Sequence, residues 1–373
     1  MIKDILITGS DGFLGKNLCL AIEREYDDIN VIRYNRNNER ADLEIAIKKA
    51  DLIFHLAGVN RPKNREDFAS VNTQLTEDIC NILKSNNKTA PIIFSSTSQV
   101  SENNDYGKSK LKAEAVLLNH SKENKSKVYI FRLNNVFGKW CKPNYNSVVA
   151  TFCHNISKGL DIKINDPESS LKLNYIDDVI DEFLQLITIQ PDFSNPIQIE
   201  KCYVTSVGKL AEDIKKIKLD RENHIVSDVG IGFDRALYAT YLSYIRPDKF
   251  VSALKSNHDE RGNFVEMLKT KKSGQISFFS ARPGVTRGAH FHHTKNEKFL
   301  VLTGKAIFKF KNMMNNEYYE VVINSTKPQI VETIPGWAHD ITNIGDTDML
   351  VMLWANEVFD EKKPDTFWED PGK

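Results

Sequence analysis

The chain has 373 residues, enough for two domains with separate cores. Lys plus Arg and Asp plus Glu are both 50, and 41% of residues are apolar. This ordinary, uncharged balance argues against nucleic acid or an anionic membrane as main partner, and no apolar run is long enough for membrane insertion.

The N-terminus, "MIKDILITGSDGFLG", passes straight from a strand pattern into a glycine turn, without the layout of a signal peptide. Five scattered cysteines (Cys19, Cys80, Cys141, Cys153 and Cys202) read as reduced thiols of a cytoplasmic protein. In the first part of the chain "IKDILIT", "INVIRY", "DLIFHLAG", "PIIFSST" and "KVYIFRL" are strand-like, several of them apolar on both faces as buried parallel strands are. Helix patterns such as "FLGKNLCLAIERE" and "YGKSKLKAEAVLLNH" lie between them, which predicts a doubly wound, Rossmann-type α/β sheet. After about Ser243 the texture changes to short strands separated by Gly, Asn, Asp and Pro: "QISFFSA", "EKFLVLTG", "KAIFKFKN", "YYEVVIN", "QIVETIP" and "DMLVMLWAN". That part predicts an all-β barrel or jelly roll, giving expected domains of 1–245 and 246–373.

"ILITGSDGFLGKNL" joins the first strand to the first helix and spaces Gly9, Gly12 and Gly15 as G-x-x-G-x-x-G. Gly9 and Gly12 allow a tight turn and close approach of backbone amides to a pyrophosphate; Gly15 lets helix and strand pack closely. The stretch after the second strand, "VIRYNRN", carries Arg33 and Arg36 and no acid. Arginine suits a ribose 2′-phosphate where an acid would suit a 2′-hydroxyl, so NADPH is the expected cofactor. "YGKSK" sets Tyr106 and Lys110 four apart on one helix face. A lysine cation there is expected to lower the phenol pKa and make Tyr106 a proton donor near neutral pH.

Glycine turn, "HLAG" (His55 to Gly58), "SST" and Tyr-x-x-x-Lys, in that order, resemble the extended short-chain dehydrogenase/reductase family over roughly residues 1–240, and "RLNNVFG" (Arg132 to Gly138) is similar to it as well. The resemblance implies Tyr106 as acid/base, Lys110 as its tuner and a cofactor contact, and Leu56 and Ala57 beside the cofactor. It also implies Thr97 as the hydroxyl partner, with Ser96 the alternative, and substrates that are nucleotide-linked sugars. His55 reads more readily as a core histidine than as a direct participant.

In the second half, Gly284, His290, His292, Glu297 and Gly304 follow the spacing G-x5-H-x-H-x4-E-x6-G, which resembles the first cupin motif. Two histidines spaced by two on a strand share a face, and Glu297 returns from the next strand. "PGWAHDITN" supplies His339 and Asn343 and resembles the second cupin motif, except that Pro335 and Gly336 are adjacent. Three imidazoles and a carboxylate suit Zn²⁺, Fe²⁺, Mn²⁺ or Ni²⁺. "DERGNFVEML" (Asp259 to Leu268) and "TRGAHFH" (Thr286 to His292) also resemble cupin-fold deoxysugar 3,5-epimerases, in which the histidine at the position of His290 is a base. One lone pair cannot serve both roles; ligation is preferred because the other three ligands are present.

A ketone acidifies the neighbouring C–H and also accepts hydride, so an epimerising cupin and a reducing short-chain domain can act on one 4-keto sugar. Domain order, "FGKWCKPNYNSV" (Phe137 to Val148), "HHTKNEKFLV" (His292 to Val301) and "NIGDTDM" (Asn343 to Met349) resemble bacterial capsular-polysaccharide enzymes that fuse these two domains. That resemblance implies a UDP-linked 4-keto-6-deoxy-N-acetylhexosamine, C3 epimerisation in a zinc cupin, and NADPH reduction at C4. It further implies UDP-2-acetamido-2,6-dideoxy-L-talose as product, on the way to UDP-N-acetyl-L-fucosamine, and a homodimer. The competing readings are a dehydratase or 4-epimerase with a structural cupin, and a non-catalytic sugar-nucleotide binder.

Overall fold

A computed structural model describes residues 2–60, 68–192, 196–254, 256–259, 262–265, 269–270, 274–357 and 362–372. The chain divides into two compact units. One comprises Met1–Phe137, Asn144–Ser147 and Ser170–Thr205, the other Gly138–Pro143, Val148–Ser169 and Ser206–Lys373.

The first unit is built on strands β1 (Asp4–Thr8), β2 (Asn30–Tyr34), β3 (Leu52–His55), β4 (Ile92–Thr97) and β5 (Val128–Leu133). They form one parallel sheet in the order β2-β1-β3-β4-β5. Consecutive residues Ile5, Leu6 and Ile7, and Ile92, Ile93 and Phe94, are fully buried because both faces of the sheet are covered. On one face α2 (Arg40–Lys49), α3 (Leu75–Ser85) and α4 (Asp105–Asn124) pack Leu43, Ile47, Ile79, Leu83 and Leu117 against Leu6, Ile53 and Phe94. Elsewhere in the unit α1 (Phe13–Glu25) packs on α6 (Ile176–Thr188). A π-helical turn, Phe68–Gln74, leads into α3, and a small sheet orders β6 (Asn135–Phe137), β7 (Ser170–Tyr175) and β8 (Tyr203–Ser206). The predicted strands of this half are all present, and "FLGKNLCLAIERE" coincides with α1.

The second unit holds α5 (Val148–Ser157), α7 (Val207–Glu222), β9 (Ile225–Val226) and α8 (Gly232–Leu242), followed by the β-rich part. Its strands are β10 (Val251–Ala253), β11 (Ser256–Asp259), β12 (Gly262–Val265), β13 (Lys269–Thr270), β14 (Gln275–Ala281), β15 (Thr286–Phe291), β16 (Glu297–Thr303) and β17 (Lys305–Asn312). They continue as β18 (Tyr318–Asn324), β19 (Gln329–Glu332), β20 (Trp337–Asn343), β21 (Met349–Ala355) and β22 (Phe367–Trp368). Two five-stranded antiparallel sheets, β10-β19-β16-β21-β14 and β18-β17-β20-β15-β22, make the predicted barrel or jelly roll. Their inner faces meet through the rings of Phe299 and Phe308, 5.7 Å apart, while Phe250 sits edge-on to Trp337 at 5.1 Å. A buried triad ties α7 to this barrel: Arg221 and Lys298 both pair with the Glu332 carboxylate. Burial of three charges is tolerated here because each cation is matched to an oxygen of the same acid.

Candidate functional sites

The glycine turn is dictated by steric room. Gly9 has φ +71°, and a Cβ on it would lie 2.7 Å from the Ala57 amide nitrogen; a Cβ on Gly15 would lie 2.2 Å from the Gly9 carbonyl oxygen. The Gly9 N–H donates to Tyr34 O at 2.8 Å, and the Gly12 N–H to Gly9 O at 2.8 Å, fixing the turn. Gly12 caps α1 without any side-chain bond, and the first turn of α1 has no acid. The helix therefore presents uncompensated amides to an anion, and the buried Ser10 hydroxyl beside them has no hydrogen-bond partner among the described residues. These features fit a dinucleotide pyrophosphate. Arg33 is paired with Glu23 at 2.6 Å, whereas Arg36 is exposed and makes no hydrogen bond or ion pair among the described residues.

Beneath the turn lies a proton-ordered chain. The Ala57 N–H donates to Thr8 Oγ1 (3.3 Å), whose hydroxyl meets His55 Nδ1 (2.7 Å); His55 Nε2 meets Thr76 Oγ1 (2.9 Å), which donates to Asn72 O (2.9 Å). His55 is fully buried, and burial drives its pKa down to about 3, so the ring is neutral and structural, as its sequence context suggested.

Tyr106 and Lys110 stand on α4, which Asn104 starts by accepting a bond from the Gly107 N–H (2.6 Å). The expectation that Lys110 lowers the phenol pKa is not met. Burial pushes Tyr106 up to about 12, against the lowering effect of a hydrogen bond with Thr97. Lys110 instead donates to Ser95 O at 2.8 Å and lies 4.5 Å from the centre of the Phe94 ring. Burial lowers its own pKa to about 8, opposed by Glu114. The Ser96 hydroxyl is committed elsewhere: it binds Glu114, whose carboxylate Arg132 grips with two bonds of 3.0 and 2.6 Å. Of the two candidate hydroxyls, Thr97 is the one at Tyr106.

In the barrel, His290, His292, Glu297 and His339 converge, their ligand atoms all within 4.8 Å of one another. The Nε2 atoms of His292, His339 and His290 lie 3.2, 3.3 and 3.9 Å from Glu297 Oε2. A β-bulge at Gly288–His290, with Ala289 at φ +57°, bends β15. The strand ends at Phe291, so His292 stands just beyond it rather than within it, yet both rings reach the cluster. The adjacent Pro335–Gly336 pair makes a working turn. Gly336 has φ +81°, its N–H donates to His292 O at 2.9 Å, and the Trp140 ring lies where a Cβ would point. Of "DERGNFVEML", the backbones of Asp259 and of Gly262–Val265 form a hairpin, and the remainder lies outside the described residues.

Whether this cluster fits a metal turns on one tautomer. His292 Nδ1 is 2.5 Å from the backbone oxygen of Asp365. A carbonyl only accepts, so Nδ1 carries the hydrogen and the Nε2 lone pair faces the Glu297 carboxylate. Two lone-pair atoms at 3.2 Å repel unless a cation or an extra proton lies between them. Burial lowers the His339 pKa to about 4, which favours a neutral ring there. Burial would raise Glu297, but the three histidines gathered on its carboxylate outweigh burial and hold it well below the usual carboxylate range. His290 Nε2 is a buried atom with no hydrogen-bond partner among the described residues. Three nitrogen donors and one carboxylate oxygen fit a divalent transition metal.

Residues 5–195 match the NAD dependent epimerase/dehydratase family, and residues 257–367 match the polysaccharide biosynthesis C-terminal domain. The chain belongs to the NAD dependent epimerase/dehydratase family. A relative from Pseudomonas aeruginosa named UDP-2-acetamido-2,6-beta-L-arabino-hexul-4-ose reductase is 48% identical over 97% of this chain and 97% of its own. The crystal structure of the capsular polysaccharide assembling protein CapF from Staphylococcus aureus is 40% identical, covers 98% of this chain and 99% of its own, and superposes with a TM-score of 0.68. The UDP-glucuronic acid 4-epimerase from Bacillus cereus, solved with NAD, shares the fold of the first half at 19% identity and TM-score 0.52, over 58% of this chain and 84% of its own.

Membership of this family implies an NAD(P) cofactor. Three polar residues that support the sites escape a reading of family motifs. Asn72 bridges Val59 and the Ser109 hydroxyl beside Lys110. Glu114 sits one helical turn beyond Lys110, a spacing that could have flagged it. Asp365 lies in a stretch with no motif at all.

Proposed function

We propose that this chain is a bifunctional enzyme acting on a UDP-linked 4-keto-6-deoxy-N-acetylhexosamine. The barrel, residues 246–373, epimerises C3, and residues 1–245 reduce the C4 ketone with NADPH. The product is UDP-2-acetamido-2,6-dideoxy-L-talose, a precursor of UDP-N-acetyl-L-fucosamine for capsule or O-antigen, made in the cytoplasm by a homodimer. The reduction rests on full-length similarity to a relative whose name is that of a UDP-4-keto-sugar reductase. The epimerisation rests on the convergence of His290, His292, Glu297 and His339 with the His292 lone pair aimed inward.

In the reductase site Gly9, Gly12 and Gly15 seat the pyrophosphate on the amides of α1, Leu56 and Ala57 flank the cofactor, and Arg33 and Arg36 face the 2′-phosphate side. Bound NADPH supplies the hydride to C4. Tyr106 delivers the proton to the C4 oxygen while Thr97 bonds the same oxygen, so ketone, hydride and proton give the alcohol. A phenol pKa of about 12 keeps Tyr106 protonated at neutral pH, in the form that donates. Lys110, its ammonium held by Ser95 O and over the Phe94 ring, serves as a contact for the cofactor rather than as a tuner of the phenol.

In the barrel, His290, His292, Glu297 and His339 would hold zinc. Bound there, the metal would supply a Lewis acid toward the sugar oxygen, while a basic side chain of the site takes the C3 proton and a proton is returned to the opposite face. Purified protein mixed with the UDP-4-keto sugar and NADPH tests the reduction: one NADPH oxidised per sugar is expected. Sugar turnover with no net NADPH oxidation overturns it in favour of a cofactor-recycling dehydratase or 4-epimerase.

A further inference from the structure

We infer that the C-terminal segment Asp365–Glu369 is a splint for the metal cluster and that Asp365 is its positioning residue. The segment runs alongside Ala289–Lys295, the stretch that carries two of the four ligands. The Glu369 N–H donates to Ala289 O at 2.8 Å. Trp368 and Phe367 of β22 pair with His290 and Phe291 of β15. The Phe367 ring lies 5.5 Å from Phe291 and 4.9 Å from His293, and the Lys295 ammonium reaches Thr366 Oγ1 at 3.0 Å.

Asp365 engages the stretch twice. Its backbone oxygen receives the His292 Nδ1–H and so decides which ring nitrogen is left with a lone pair for the cluster. Its carboxylate receives four bonds. Oδ1 takes the His293 N–H at 2.9 Å, and Oδ2 takes the Thr294 N–H at 2.7 Å, the Thr294 hydroxyl at 2.9 Å and the Lys295 N–H at 2.6 Å. Three of these donors are successive amides of the turn between His292 and Glu297. The carboxylate therefore sets the chord across which those two ligands face each other at 3.2 Å. A turn this short has few ways to hold three amides on one point without an anion at its centre. The chain closes its own metal site with residues some seventy positions downstream, well outside the cupin spacing.

The inference rests on reading the four residues as a metal site, and the test separates the two. Zinc affinity is measured by chelator competition on full-length wild type, Asp365→Ala and Asp365→Asn, below their melting temperatures, with the visible absorption of the cobalt-loaded forms recorded beside it. We expect zinc affinity to fall about 10- to 100-fold in both variants, with an altered cobalt spectrum and unchanged NADPH binding. Native zinc affinity and a native cobalt spectrum in the folded variants overturn the role of Asp365. Wild-type protein that takes up neither metal overturns the underlying metal reading instead. Should the Asp365 variants not fold, Thr294→Val, which removes a single donor to the carboxylate, carries the test with the same criteria: weaker zinc binding supports the splint, native binding refutes it.

Discussion

Lys110→Met should make the protein more stable at neutral pH while destroying its reductase activity. Lys110 is 3% exposed, and burial lowers its pKa from 10.5 to about 8. At roughly 1.4 kcal/mol per unit, the fold works against the charged lysine by about 3 kcal/mol. Replacing it also removes the bond to Ser95 O, at a cost of about 1 kcal/mol. The net expectation is a gain of about 2 kcal/mol, or a rise in melting temperature of about 4–8 °C for a unit of this size. The sign has a pH signature. Between pH 8 and 10.5 the unfolded chain keeps the proton that the folded chain has lost, so wild-type stability rises with pH across that window while the Met variant feels no such term. The gap between them should be full below pH 8 and close towards pH 10.5. Thermal melts of both proteins in buffers from pH 7 to 10.5, followed by circular dichroism, measure it. A Met variant that melts lower at pH 7, or a gap independent of pH, refutes the claim that Lys110 is held against its burial cost for the sake of chemistry.

Tyr106→Phe removes the proton donor and leaves the glycine turn intact, so NADPH oxidation should fall roughly 100- to 10,000-fold with the NADPH dissociation constant within about twofold of wild type; stopped-flow absorbance and fluorescence titration measure the two. Arg36→Ala should weaken NADPH far more than NADH, because only NADPH carries the 2′-phosphate, and equal losses would place Arg36 away from the ribose. Arg33→Ala should do less, since that side chain is already paired with Glu23. His290→Ala removes the most exposed of the cluster's side chains, with 22% of its surface accessible, and should lower bound metal by elemental analysis while leaving the melting temperature nearly unchanged; full metal content in the variant would make His290 the base instead.

The parallel sheet was legible because β1, β3, β4 and β5 are apolar at successive positions, and only strands covered on both faces can be. The four cluster residues were legible because the ligand spacing at the end of β15, the start of β16 and within β20 is a matter of period and turn length. The electrostatics of Tyr106 and Lys110 were not. A four-residue spacing says that two side chains share a helix face, but burial and the Ser95 carbonyl decide where the ammonium points. Nor could periodicity reveal what the helices after β8 pack against, since an apolar face does not name its partner; Arg221 on Glu332 does. β22 was invisible for a similar reason: a strand of two residues has no period, and Asp365 acts through one backbone oxygen and a knot of amides.

Running the reaction in D₂O with unlabelled NADPH and the UDP-4-keto sugar, then locating deuterium in the reduced product by NMR, decides whether one chain both epimerises and reduces one sugar. Deuterium is expected at C3, delivered from solvent during epimerisation, and ordinary hydrogen at C4, delivered as hydride from NADPH. Reduced product with ordinary hydrogen at both positions would contradict that expectation.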